Sequence, residues 1–165
     1  NLYVSKAFSS SLVETNVQPI IINDLYPDYY NGNFSDKVEA KINEFKSSNT
    51  YTVDKPLLIY NAYGTDELSM YCYFNSEEKT IVNYQVVTTN HHIYSRNVET
   101  DFNSGLAYSR EHEFTAHGMI ANEMNYILVN SYKNLGELTS SYYISYQPKS
   151  LEEMDSMYEK YKEEL

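Results

Sequence analysis

Apolar and polar residues alternate strictly through the middle of the chain: Leu68, Met70, Cys72 and Phe74 are interleaved with Ser69, Tyr71 and Tyr73. A period of two sends successive side chains to opposite faces, so the pattern predicts a strand over 68–75 with one buried face. The same period returns over Thr80–Val87, with Val82, Tyr84 and Val86 on one side. Between them Glu77-Glu78-Lys79 reads as a short polar turn, the kind of gap that joins antiparallel neighbours. Upstream, Pro56-Leu57-Leu58-Ile59-Tyr60-Asn61 is an apolar strand. Asn61-Ala62-Tyr63-Gly64 is its reversal, where glycine accepts a positive φ that a Cβ-bearing residue resists.

The pattern continues downstream. His91–Phe102 holds a short edge strand ahead of the loop around Asn103-Ser104-Gly105, and Glu111–Ile120 is a strand interrupted at Gly118. Tyr126–Tyr132 and Leu138–Tyr146 flank a hairpin turn at Lys133–Glu137, with Gly136 suited to positive φ. About six or seven short antiparallel strands with no helix between them predict an all-β immunoglobulin- or fibronectin-III-like sandwich, with short helices before and after it. The first helix spans 36–47: Ser35 or Asp36 caps it, Val38, Ile42 and Phe45 share a face, and Ser47-Ser48-Asn49 ends it. After Pro148, Ser150-Leu151-Glu152-Glu153 is a capping box, and Leu151, Met154, Met157, Tyr158 and Tyr161 follow helical spacing. Glu159, Glu163 and Glu164 oppose that helix's dipole, so it depends on packing. The organisation is therefore an extension over 1–50 with a short strand at Pro19-Ile20-Ile21-Ile22, a sandwich over 51–147, and a helix or linker over 148–165.

Charge and composition narrow the function classes. The formal charge is −11, and Arg96 and Arg110 are the two arginines, which argues against nucleic acid and against an anionic membrane surface. No apolar run approaches the about 20 residues that span a bilayer, and the first residues lack a charged segment followed by an apolar one. The chain is compatible with the mature remainder of an exported protein. Cys72, the lone cysteine, cannot form an internal disulfide and falls on the inward phase of its strand. The 19 tyrosines suit half-wet sheet faces, with rings buried and hydroxyls at the rim.

Candidate chemistry is sparse. His91 and His92 are adjacent on an extended segment and point to opposite faces, as do His112 and His117, so neither pair converges on a metal. Asp24, Asp28, Asn31 and Asn33 suggest a Ca²⁺ loop, but Tyr29 stands at its sixth position and Ser35 at its twelfth, where glycine and glutamate are needed. There is no Gly-x-Ser-x-Gly elbow to expose a nucleophilic serine. We expect no metal, no cofactor and no catalytic residue.

In order and spacing, Pro56, Asn61, Tyr63, Gly64, Leu68, Ser69, His112, Glu113 and Gly118 resemble the N-terminal immunoglobulin-like domain of bacterial aryl-sulfate sulfotransferases, with Ala62 where proline is usual. The resemblance covers roughly 51–147. It implies a non-catalytic domain that packs against or braces a β-propeller of the same parent chain, where the catalytic histidine resides, and it admits a homodimer. The implied parent is an extracytoplasmic enzyme that moves sulfate from phenolic sulfate esters to phenols. Tyr63 and Gly64 are the interface candidates: Gly64 sets the turn, and Tyr63 offers a large ring with a polar tip. The alternative is a stand-alone extracellular adhesion or carbohydrate-binding sandwich that uses exposed tyrosines.

Overall fold

The longest element is a single strand of 19 residues, Met70–Thr88, around which the others are organised. The computed structural model describes residues 13–15, 17–21, 34–64, 66–88, 99–100, 108–133, 137–153 and 155–156. In chain order these form β1 (Val13–Glu14), α1 (Phe34–Ser48), β2 (Leu57–Tyr60), β3 (Met70–Thr88), β4 (Glu99–Thr100), β5 (Ser109–Ala116), β6 (Asn125–Lys133) and β7 (Glu137–Tyr146). The fold is all-β and mostly antiparallel, with a few short helical segments. Among the described residues, no helix is long and apolar enough to cross a membrane.

The first half of β3 pairs with β2 on one side, Leu57 opposite Tyr73, and with β5 on the other, Cys72 opposite Phe114. Its second half pairs with β6 from Ile81/Tyr132 to Thr88/Asn125, and with the two residues of β4. β6 continues to β7, and β7 to β1, the last pair being parallel. A further parallel bridge ties Ile20 to Ile59, where the Ile20 amide donates to Leu58 O at 2.8 Å.

Two expectations are corrected here. Glu77-Glu78-Lys79 is not a turn: the three residues are exposed, but the backbone stays extended through them. The pairing with β5 loses register between Asn75 and Thr80, so the polar stretch is where β3 leaves one set of partners and joins the next. The strand at 70–74 is also buried on both faces rather than one. Met70, Cys72 and Phe74 face the main core, while Tyr71 and Tyr73 face α1.

That division explains the packing. The main core gathers Leu58, Met70, Cys72, Phe74 and Phe114 from one half of the sheet, and Val82, Tyr84, Val86, Ile127, Val129 and Ile144 from the other. Tyr84 stacks on Phe114 with ring centroids 4.0 Å apart, so side chains of both halves meet in this core. Leu68 is partly buried against the same cluster. A second cluster places Val38 and Ile42 of α1 on Leu57, Ile59, Tyr71 and Tyr73, with Phe45 partly buried beside them. The helix thus buries the face its 3–4 spacing predicts, against the outer side of β2 and β3.

The helix ends at Ser48, and the Asn49 amide donates to Phe45 O at 3.1 Å. After β7, Ser150 Oγ accepts the Glu153 amide at 3.2 Å, the serine half of the expected capping box, and donates to Glu153 Oε1 at 3.1 Å. Residues 151–153 and 155–156 are helical. The remainder of the expected helix to 165 lies outside the described residues. So do His91 and His92, Gly136, and the Asp24–Asn33 segment.

Candidate functional site

The reversal after β2 is built as the sequence implies. The Gly64 amide donates to Asn61 O at 3.1 Å, with Gly64 at φ 71° and Asn61 at φ 47°. Asparagine tolerates the left-handed region better than most Cβ-bearing residues, so the pair closes the turn with little strain. The loop is stiffened from within: Asn61 Oδ1 accepts the Asp66 amide at 3.3 Å, Asp66 Oδ1 accepts the Leu68 amide at 2.9 Å, and Ser69 Oγ donates to Asp66 O at 2.7 Å. The Tyr60 hydroxyl closes the loop's far side by donating to Glu67 O.

A second corner docks onto this loop. Past the end of β5 the Met119 amide donates to Leu68 O at 3.1 Å, next to Gly118 at φ 81°. His117 Nδ1 lies 2.6 Å from Asp66 Oδ2, an ion pair when the ring is protonated. The His117 side chain is 63% exposed, so this pair forms part of the rim. Of the residues that carry the sulfotransferase resemblance, Asn61, Tyr63, Gly64, Leu68, Ser69 and Gly118 gather at one end of β2, β3 and β5, whereas Pro56 lies at the other end of β2, and Glu113 and His112 pair with Tyr73 and Phe74 along β3.

Tyr63 sits at the same end but does not stand free. Its ring is half-buried against the cluster under α1, and burial, with the Glu39 and Glu113 carboxylates after it, raises its pKa. Along the adjoining face, tyrosines and carboxylates alternate. The Tyr71 hydroxyl donates to Glu113 Oε2, which also accepts Lys46 Nζ at 2.8 Å. The Tyr73 hydroxyl donates to Glu111 Oε2 at 2.7 Å, and Lys46 Nζ lies 4.3 Å from the Tyr73 ring centroid. Burial first, then the hydrogen bonds to Glu113 and Glu111, raises the pKa of Tyr71 and of Tyr73. Both hydroxyls stay neutral donors, and Lys46 ties α1 to β5. Chemically this is a clamp between helix and sheet.

The histidines go separate ways. His112 is fully buried, with Nε2 3.0 Å from Thr80 Oγ1 and 3.2 Å from Ser76 Oγ, at the point where β3 changes partners. His117 is outside on the rim, so the structure does not bring the two together. Among the described residues, no group of three or more His, Cys, Asp or Glu side chains is placed to hold a metal. Cys72 is buried in the main core. Of the described tyrosines, Tyr108 alone is exposed; Tyr126, Tyr132 and Tyr143 are half-buried on the outward phase of β6 and β7.

Sequence reasoning missed one concavity. A cleft of about 800 Å³ opens between β1, the end of α1 and the connection to β2, lined in part by Phe45, Tyr51, Val53, Asp54 and Tyr142. Tyr142 falls on the inward phase of β7, which the alternation does show, but no spacing in the chain reports that a cleft forms over it. No protein-family model matches the chain, and neither does any curated protein or solved structure.

Proposed function

We propose that this chain is a non-catalytic accessory domain of immunoglobulin-like sandwich type, and that it works by holding one end of its sheet against a neighbouring domain. The reading follows the sulfotransferase resemblance: the neighbour is a catalytic β-propeller of the same extracytoplasmic parent, and the reaction of the parent is sulfate transfer between phenols. The observation that supports it is the convergence of the Asn61–Ser69 loop and the His117–Met119 corner into one hydrogen-bonded end. Two loops pinned to each other lose little further entropy on docking, which favours a domain contact. Interdomain contacts of this kind are polar at the rim, as the Asp66–His117 pair is here.

The reading is tested with His117→Ala. An exposed pair contributes about 0–1 kcal/mol, so the isolated chain keeps its melting temperature. In the parent protein the substitution speeds proteolysis at the domain junction. Unchanged junction proteolysis counts against the docking end. Sulfate transfer from an aryl sulfate by purified 1–165, lost in a histidine variant, overturns the non-catalytic assignment.

A further inference from the structure

The cleft over Tyr142 has no part in that docking end, and its chemistry is specific. Its volume, about 800 Å³, falls in the range of about 300–1,000 Å³ typical of small-molecule sites. Phe45, Tyr51, Val53 and Pro56 give it apolar walls, and Ile20 adds to them from the segment bridged to β2. Tyr142 is only 4% exposed, and its ring packs edge-to-face on Phe74 at 5.9 Å, so its body belongs to the main core. Its hydroxyl is buried without a hydrogen-bond partner. Buried polar groups are almost always paired, so an orphan on a residue that lines a cleft calls for a partner, a water or a ligand atom.

The charges around the cleft select the ligand. Burial first, then the neighbouring Cys72 thiol and Asp54 carboxylate, holds the Tyr142 pKa well above its usual value, so the hydroxyl remains a donor. Asp54 lines the same cleft and can only accept. A ligand hydroxyl, which both accepts and donates, is served by the two together; a carbonyl is not. Glu14 and Asp54 oppose one lysine, Lys55, in the lining, and the whole chain carries −11, so an anion is disfavoured.

We propose that this cleft binds a neutral, mainly apolar molecule bearing a hydroxyl group, with that hydroxyl accepting a hydrogen bond from Tyr142 and the apolar part lying on Phe45, Tyr51, Val53 and Pro56. The assignment is independent of the docking reading, because it uses neither the 61–69 loop nor a parent chain.

The experiment is calorimetric titration of the chain with 1-octanol, octanoate and methyl glucoside. Saturable uptake of octanol is expected, with octanoate and the glucoside at least about tenfold weaker. Tyr142→Phe should weaken octanol by roughly 5- to 10-fold, the worth of one hydrogen bond. The unliganded variant should melt no lower than the parent sequence, since it loses only an unpaired hydroxyl. A second variant, Thr50→Trp, narrows the cleft from a lining position that is exposed and should abolish uptake without touching Tyr142. Absence of saturable octanol binding overturns the proposal, as does equal affinity in Tyr142→Phe, octanoate binding as tightly as octanol, or saturation by the glucoside alone.

Discussion

Phe74 shows how much one side chain carries. It is fully buried, its ring lies 5.2 Å from the His112 ring and 5.9 Å from that of Tyr142, and it touches both the core and the partner-exchange point of β3. Phe74→Ala should therefore cost about 3–5 kcal/mol, a large part of a typical domain's stability. Urea unfolding checks this, and an unchanged midpoint would contradict the core assignment. Tyr71 makes a different kind of prediction. Its pKa in the folded chain lies above the unfolded value of about 10. The folded state thus holds a proton that the unfolded state releases, so this contribution is complete below pH ~10 and is lost as the pH rises beyond it. Tyr71→Phe should cost about 1 kcal/mol at neutral pH, because Glu113 keeps Lys46. It should also make stability fall less steeply above pH ~10, as read by denaturant unfolding across that range.

Among the elements, α1 and β3 decide the architecture. The spacing of Val38, Ile42 and Phe45 was sufficient to predict α1 and the face it buries, because a helix's apolar stripe is a local property. Where the stripe docks is not local. The helix lies on Tyr71 and Tyr73, which is why β3 is buried on both faces from Met70 to Phe74 although these two tyrosines carry polar tips. Ile42→Ala should cost about 2–5 kcal/mol, and hydrogen exchange should show α1 amides opening first. If the helix amides stay as protected as in the unsubstituted chain, the docking is not what holds them. β3 departs from its sequence pattern for a related reason: exposed Glu77, Glu78 and Lys79 look like a turn, yet an extended backbone can cross solvent wherever its partners change.

At the scale of the molecule, a formal charge of −11 is spread over one chain of 165 residues. Like charges repel in the compact state, and salt shortens the Debye length from about 30 Å at 0.01 M to about 8 Å at 0.15 M. The melting temperature should rise over that interval; a fall would show that surface ion pairs such as Lys133–Glu78 outweigh the repulsion. A spectrophotometric titration should find the buried tyrosines Tyr71 and Tyr142 ionising only as the protein unfolds. Alternation and turn chemistry by themselves determined the strands at 57–60, 125–133 and 137–146, the Asn61–Gly64 reversal, the helix before them and the inward set from Met70 to Phe114. Those features rest on neighbours in sequence. Only the tertiary structure decided that β3 serves two sets of partners, that α1 covers its outer face, that Asp66 meets His117, and that a cleft leaves the Tyr142 hydroxyl unpaired. Each of these joins groups distant in the chain, and the alternation of one strand carries no record of what packs against it.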